Sequence, residues 1–237
     1  MHPTAELIRL LKRLKLSGVL QSLDIRVRQA LDDDPTHGEF LLRLFSDEVE
    51  RREAKQLDTR LRRASFEHGT TLEDFDFSFN PEIPKAKLLD LATCAFVDRH
   101  ENVLLVGKTG LGKSHLAQAL AHRACIGGAH ALFIDAATLL GDLRAARADQ
   151  SLERRLNQLA APDVLVIDDL GLRPLRNDEP IDLYELIRRR HRRASTIVTS
   201  NRDIEEWPPL FLDPVLASAA LDRLLEGAHV LRLDGDT

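Results

Sequence analysis

Apolar residues recur at helical spacing over residues 5 to 31, at Leu7, Leu10, Leu11, Leu14, Val19, Leu20, Leu23 and Val27. This predicts one amphipathic helix or two. Basic residues Arg9, Lys12, Arg13, Lys15, Arg26 and Arg28 lie between the apolar positions. The string DDDPTHG, residues 32 to 38, supplies turn and capping residues. A second long helix is expected from about 39 to 66.

The stretch GTTLEDFDFSFNPEIP, residues 69 to 84, breaks that pattern. Gly69 opens it, and Pro81 and Pro84 close it. Phe75, Phe77 and Phe79 alternate with Asp76 and Ser78, which predicts a linker with a short extended piece burying alternate rings. The expected organisation is therefore a helical, basic N-terminal domain over 1–68, a linker over 69–84 and a second domain over 85–237.

Beyond residue 85 short apolar runs alternate with helical stretches. Strands are expected at Val103–Gly107, Ala131–Asp135, Val164–Asp168, Thr196–Ser200 and His229–Leu233. Helices are expected at 113–126, 137–160, 180–193 and 214–226. Mostly apolar strands separated by helices imply a parallel sheet covered on both faces.

Composition narrows the class without naming a function. The 237 residues are 43% hydrophobic and 30% charged, the balance of a chain that can bury a core. No run reaches the roughly 18 apolar residues of a membrane span, and the charged N-terminus has no signal-peptide core. Cys94 and Cys125 are the only cysteines, so a reducing cytoplasm is expected and a disulfide framework is not. Arg outnumbers Lys by 26 to 7, compatible with codon usage or with phosphate recognition. The net charge of −5 hides polarity along the chain. Residues 1 to 31 carry +4, while 203 to 237 carry −6 from two Arg against eight acids.

The chemistry centres on Gly107-Lys108-Thr109-Gly110-Leu111-Gly112-Lys113-Ser114, directly after the first expected strand. It fits the G-x-x-x-x-G-K-[ST] phosphate-loop pattern in the strand–loop–helix context that pattern needs. Glycines let backbone N–H groups turn inward around phosphate oxygens, and the helix N-terminus adds its positive dipole end. Lys113 is placed to reach the β- and γ-phosphates of ATP, and the Ser114 hydroxyl to ligate Mg²⁺. The strand VLVID then ends in Asp168-Asp169, about fifty residues beyond the loop. Asp168 suits the Mg²⁺ water shell and Asp169 the attacking water. Asn201, at the end of TIVTSN, is a candidate γ-phosphate sensor or a turn residue.

Other residues carry weaker signals. His115 directly follows the loop and joins the candidate nucleotide contacts, though it and His122 suit packing or solvent as well. Trp207, before Pro208 and Pro209, reads as a packing anchor. Arg188, Arg189, Arg190, Arg192, Arg193 and Arg202 place six positive charges and no acid between 188 and 202. That run is either a solvated helix face, a subunit interface or a phosphate-backbone contact, with Arg189, Arg190 and Arg193 as candidates.

The string GTTLEDFDFSFNPEIPKAKLLDLATCAFVDRHENVLLVGKTGLGKSHLAQAL, with VLVIDDLG, TIVTSN followed by Trp207, and LASAALDRLL in order, resembles IstB-like ATP-binding proteins. These are transposition helper ATPases of the AAA+ superfamily, related to the DnaC helicase loader and the DnaA initiator. The resemblance covers nearly the whole chain. It implies an AAA+ ATPase core over 85–237 that uses ATP and Mg²⁺, self-associates on duplex DNA and works with a transposase of the same element. It further implies that Asn201 is the sensor and that Arg223 is an arginine finger reaching a neighbouring subunit. Arg9, Lys12, Arg13, Lys15, Arg26 and Arg28 would then contact DNA phosphates. Two departures stand out. Asp169 occupies a position where many AAA+ proteins have Glu, and the chain ends soon after the strand at 229–233, without a helical lid. Rival readings are a helicase loader, a P-loop kinase for a small metabolite, and an adaptor that binds ATP without hydrolysing it.

Overall fold

The computed structural model describes residues 5–67, 70–77 and 83–235. The chain divides into two compact units, 1–59 and 60–237.

The first unit holds helix α1 (Ala5–Arg13), α2 (Ser17–Asp33) and all but the last five residues of α3 (His37–Ala64). The two-helix alternative thus holds for residues 5 to 31, and Asp34 closes α2 in the left-handed conformation. Thr36 and Glu39 form reciprocal hydrogen bonds that start α3. Leu11, Val19, Leu23 and Leu44 make a small core. Glu48 accepts the N–H groups of Gly18 and Val19, so a carboxylate sits on the positive end of α2.

The second unit is the α/β layer arrangement expected from the sequence. Helices α4 (Lys85–Leu91) and α5 (Ala95–Asp98) lead into β1 (Val103–Gly107). Then follow α6 (Lys113–Ile126), β2 (Ala131–Asp135), α7 (Ala136–Ala148), α8 (Leu152–Ala160) and β3 (Val164–Asp168). The chain finishes with α9 (Glu179–Arg190), β4 (Ser195–Ser200), α10 (Pro214–Leu225) and β5 (His229–Leu233). The five strands are all parallel, in the order β2-β3-β4-β1-β5.

One expectation needs correction. The single helix expected over 137–160 is two, because Gln150 takes the left-handed conformation (φ 63°) and Asp149 bonds to Ser151. The linker forms no strand among its described residues: Phe75 and Phe77 are half-buried and meet edge to face at 5.0 Å, with Asp76 exposed between them. Phe79, Ser78 and Pro81 lie outside the described residues.

Trp207 is fully buried, the packing anchor expected of it, and its indole N–H donates to the Arg202 carbonyl. No described helix is long and apolar enough to cross a membrane.

Candidate nucleotide-binding site

The phosphate loop joins β1 to α6 at the C-terminal edge of the sheet, where an open parallel sheet presents ligands. Gly107 has φ 144° and pairs with Leu233 of β5, so that a Cβ there would lie 2.1 Å from the Leu233 carbonyl oxygen. Gly112 has φ 80° and lies under the Phe75 ring, which a Cβ would meet at 2.7 Å. The loop residues Lys108, Thr109 and Gly110 are exposed, whereas Leu111 is buried.

Lys113 is only 4% exposed, and its Nζ donates to the Lys108 carbonyl at 2.6 Å. Burial pushes its pKa down, and the charges of Asp169 and Asp168 push it back up. Lysine and carboxylates therefore share one electrostatic environment although they come from separate elements, the start of α6 and the end of β3.

Asp168 ends β3 opposite Asp135 of β2. It is 8% exposed, and one carboxylate oxygen accepts the Thr199 hydroxyl at 2.5 Å. Asp169 follows in the left-handed conformation, φ 55°, and its N–H donates to the same Thr199 oxygen at 2.8 Å. Burial raises the Asp169 pKa first, then the neighbouring Asp168 charge, with Lys113 opposing both. A raised carboxylate pKa strengthens it as a base. Asn201 stands just past β4, half-buried.

The Ser114 hydroxyl and the Asp168 carboxylate are hard oxygen donors of the kind Mg²⁺ takes together with phosphates and water. Beside glycines that leave the loop backbone bare, this donor set fits a nucleotide-bound Mg²⁺.

His115 faces the linker. Its ring lies 5.2 Å from that of Phe75, and Nε2 is 3.2 Å from the Thr71 carbonyl oxygen. The segment before β1 thus packs onto the loop through Phe75 and His115, a relation that motif reading did not anticipate. Lys85 adds its ammonium over the Phe77 ring at 4.9 Å.

Arg223 stands on α10, with its guanidinium over the Tyr184 ring at 5.4 Å and one nitrogen donating to the Ala219 carbonyl at 2.8 Å. It does not join the loop and carboxylates within this chain.

The arginine run 188 to 202 is not a free basic patch. Arg190 is 1% exposed, and its guanidinium donates to the carbonyls of Leu159, Ala160, Pro162 and Ser195 and to the Thr196 hydroxyl. It cannot reach DNA phosphates, which corrects its assignment as a DNA contact. Arg188 and Arg189 pair with Glu185, Arg189 also with Glu153, and Arg192 with Glu226. Arg193 is exposed. In the first unit Arg26 makes a two-pronged bond to Asp47, whereas Arg9, Lys12, Arg13, Lys15 and Arg28 are exposed.

The chain is similar to known ATP-binding proteins. The family described as IstB-like ATP binding protein matches residues 9–237. An insertion-sequence ATP-binding protein of Mycobacterium tuberculosis is 43% identical over 226 residues, 95% of this chain and 90% of its own length. The ATP-binding protein of insertion sequence IS21 from Pseudomonas aeruginosa is 38% identical over 232 residues, 98% of this chain and 88% of its own. Among solved structures, the DnaC helicase loader superposes with a TM-score of 0.52 at 22% identity, covering 63% of this chain and 87% of that one. That last likeness is one of fold, the AAA+ P-loop core.

Proposed function

The chain belongs to the family of IstB-like ATP-binding proteins, and from that premise we propose that it is a Mg²⁺-dependent ATPase that assembles on duplex DNA and assists the transposase of its element. The observation that carries the ATPase reading is the placement of a phosphate loop with buried Lys113 after β1 and of Asp168 and Asp169 at the same end of β3, with only β4 between the two strands.

The reaction is ATP plus water to ADP plus phosphate. Lys113 exchanges its bond to the Lys108 carbonyl for the β- and γ-phosphates. Backbone N–H groups of residues 107–114 and the start of α6 hold the remaining phosphate charge. Ser114 and Asp168 hold Mg²⁺, which when bound neutralises charge on the phosphate oxygens. Asp169 orients the attacking water and accepts its proton. Asn201 senses the γ-phosphate. Arg223 leaves the Tyr184 ring to act on the nucleotide of a neighbouring subunit, so that hydrolysis depends on assembly. Exposed Arg9, Lys12, Arg13, Lys15 and Arg28 contact DNA phosphates without reading sequence.

The helicase-loader alternative has a fold likeness behind it, whereas relatives at 43% and 38% identity bear insertion-sequence names. The test is binding to non-specific duplex DNA across a salt series, with and without ATP. ATP should strengthen binding, added salt should weaken it, and Lys113→Ala should abolish the ATP effect. Replacing Lys12 and Arg13 with Ala should lower the salt slope by about one unit per lost phosphate contact. Binding indifferent to ATP and to Lys113→Ala would rule out the DNA-assembly mechanism.

A further inference from the structure

Thr199 is fully buried at the C-terminal end of β4, between the phosphate-loop strand and the carboxylate strand. A threonine hydroxyl has one proton to give and two lone pairs to accept with. Here the proton goes to Asp168 Oδ1 at 2.5 Å, and one lone pair takes the Asp169 N–H at 2.8 Å. The Thr199 carbonyl accepts the Leu170 N–H at 2.9 Å. One residue therefore holds three consecutive positions. The next residue extends the clamp: the Ser200 hydroxyl donates to the Leu170 carbonyl at 2.6 Å and accepts the Arg202 N–H at 3.1 Å.

This clamp has a steric reason to exist. Asp169 sits at φ 55°, where a residue bearing a Cβ persists only if its surroundings over-determine it. The Asp168 carboxylate has two equivalent oxygens, and a donor fixed on one of them decides which is left for other work. Asn201 lies two residues further on, just past the end of β4.

We infer that Thr199 is a positioning residue for both carboxylates: its hydroxyl fixes the rotamer of Asp168 and the backbone of Asp169, and so ties both to the strand that leads into Asn201. The inference rests on the ATPase reading of the site. Outer partners of this kind are worth about tenfold to a hundredfold in metal affinity or rate.

The test compares Thr199→Val, which keeps the shape and removes the hydroxyl, with Thr199→Ser, which keeps the hydroxyl. Two readouts are taken on the full chain: the Mg²⁺ dependence of binding to a fluorescent ATP analogue, and the Mg²⁺ dependence of kcat. Thr199→Val should need about tenfold more Mg²⁺ or more for half-maximal binding and lose about tenfold to a hundredfold in kcat, with Mg²⁺-free nucleotide binding unchanged. In nucleotide-free protein its Asp169 amide should exchange with solvent faster. Thr199→Ser should restore all three. If Thr199→Val does not fold, Thr199→Cys takes its place against Thr199→Ser, with the same outcome expected. A valine or cysteine variant that matches the serine variant in Mg²⁺ dependence overturns the positioning role. A wild-type chain whose nucleotide binding ignores Mg²⁺ overturns the ATPase reading, and the positioning role with it.

Discussion

The ammonium of Lys113 is bonded to the carbonyl oxygen of Lys108 at 2.6 Å, five residues back along its own loop. Burial works against the Lys113 charge more than Asp169 and Asp168 support it, so the lysine contributes little to folding. Lys113→Ala should therefore leave the melting temperature of the nucleotide-free chain unchanged or slightly higher. Nucleotide affinity should fall about tenfold to a hundredfold, the loss of a charge-assisted bond. Thermal unfolding with and without Mg²⁺-ATP measures both effects, and an undiminished ATP-induced rise in the variant contradicts the lysine's role.

Asp169 predicts a pH dependence. Its carboxyl titrates above the ordinary aspartate range, because burial and Asp168 disfavour its charge. Only the charged form accepts a proton from water. The kcat/KM for ATP, which reports the free protein, should thus fall on the acid side with a midpoint above that of an ordinary aspartate. Asp169→Asn should remove that limb and about 10²–10⁴-fold of the rate while nucleotide still binds. A pH–rate profile of both proteins decides the matter.

Arg223 rests on Tyr184 within its own chain. If it acts across a subunit boundary, Arg223→Ala alone should lose about 10³-fold in rate or more. Mixing it with Lys113→Ala subunits should restore part of the activity, because some interfaces then combine an intact arginine with an intact loop. Mixed oligomers that form and stay inactive would contradict action in trans.

Arg190 should matter for stability alone. Its guanidinium satisfies four carbonyls and a hydroxyl, and its pKa, lowered by burial to about 10, leaves it charged at neutral pH. Arg190→Met orphans these groups at about 1–3 kcal/mol each where water cannot reach them. A loss of about 3 kcal/mol or more in urea unfolding is expected. The neighbouring Arg193→Ala should stay within about 0.5 kcal/mol.

The first unit carries an acid-sensitive pair. The Arg26 guanidinium and the Ser22 hydroxyl hold the Asp47 carboxyl down to about 2, against 3.8 ordinarily. A depressed folded-state pKa stabilises above the unfolded value and is lost as pH falls through the folded one. The contribution is thus complete above about pH 4 and fades toward pH 2. Asp47→Asn should flatten the loss of helical circular dichroism across that window.

Much of this was legible along the chain. The strands at 103–107, 131–135, 164–168 and 229–233 and the helix at 113–126 lie where alternating apolar runs put them, and β4 begins one residue early. Apolar spacing ran on from Leu143 through Leu152 to Leu156, which hid the break that Gln150 makes with its backbone. The helices at 85–91 and 95–98 are too short for a periodic signal. The arginine run misled because charge alone does not say which side chain turns inward. Periodicity does: Leu183, Leu186, Ile187 and Arg190 form one helical stripe, and all four are buried. Thr199 escaped notice because its role depends on register with a strand thirty-one residues away.

The strand order has a consequence for insertions and deletions. β4 has ladder partners on both sides, β3 at 164–167 and β1 at 103–106. A single residue added or removed within it would turn Thr199 to the opposite face of the sheet. The Asp168 contact, the Asp169 turn and the placement of Asn201 would be lost in one event, while the phosphate loop stayed intact. On the roles proposed for these residues, such a chain would still hold nucleotide and would no longer respond to what it holds.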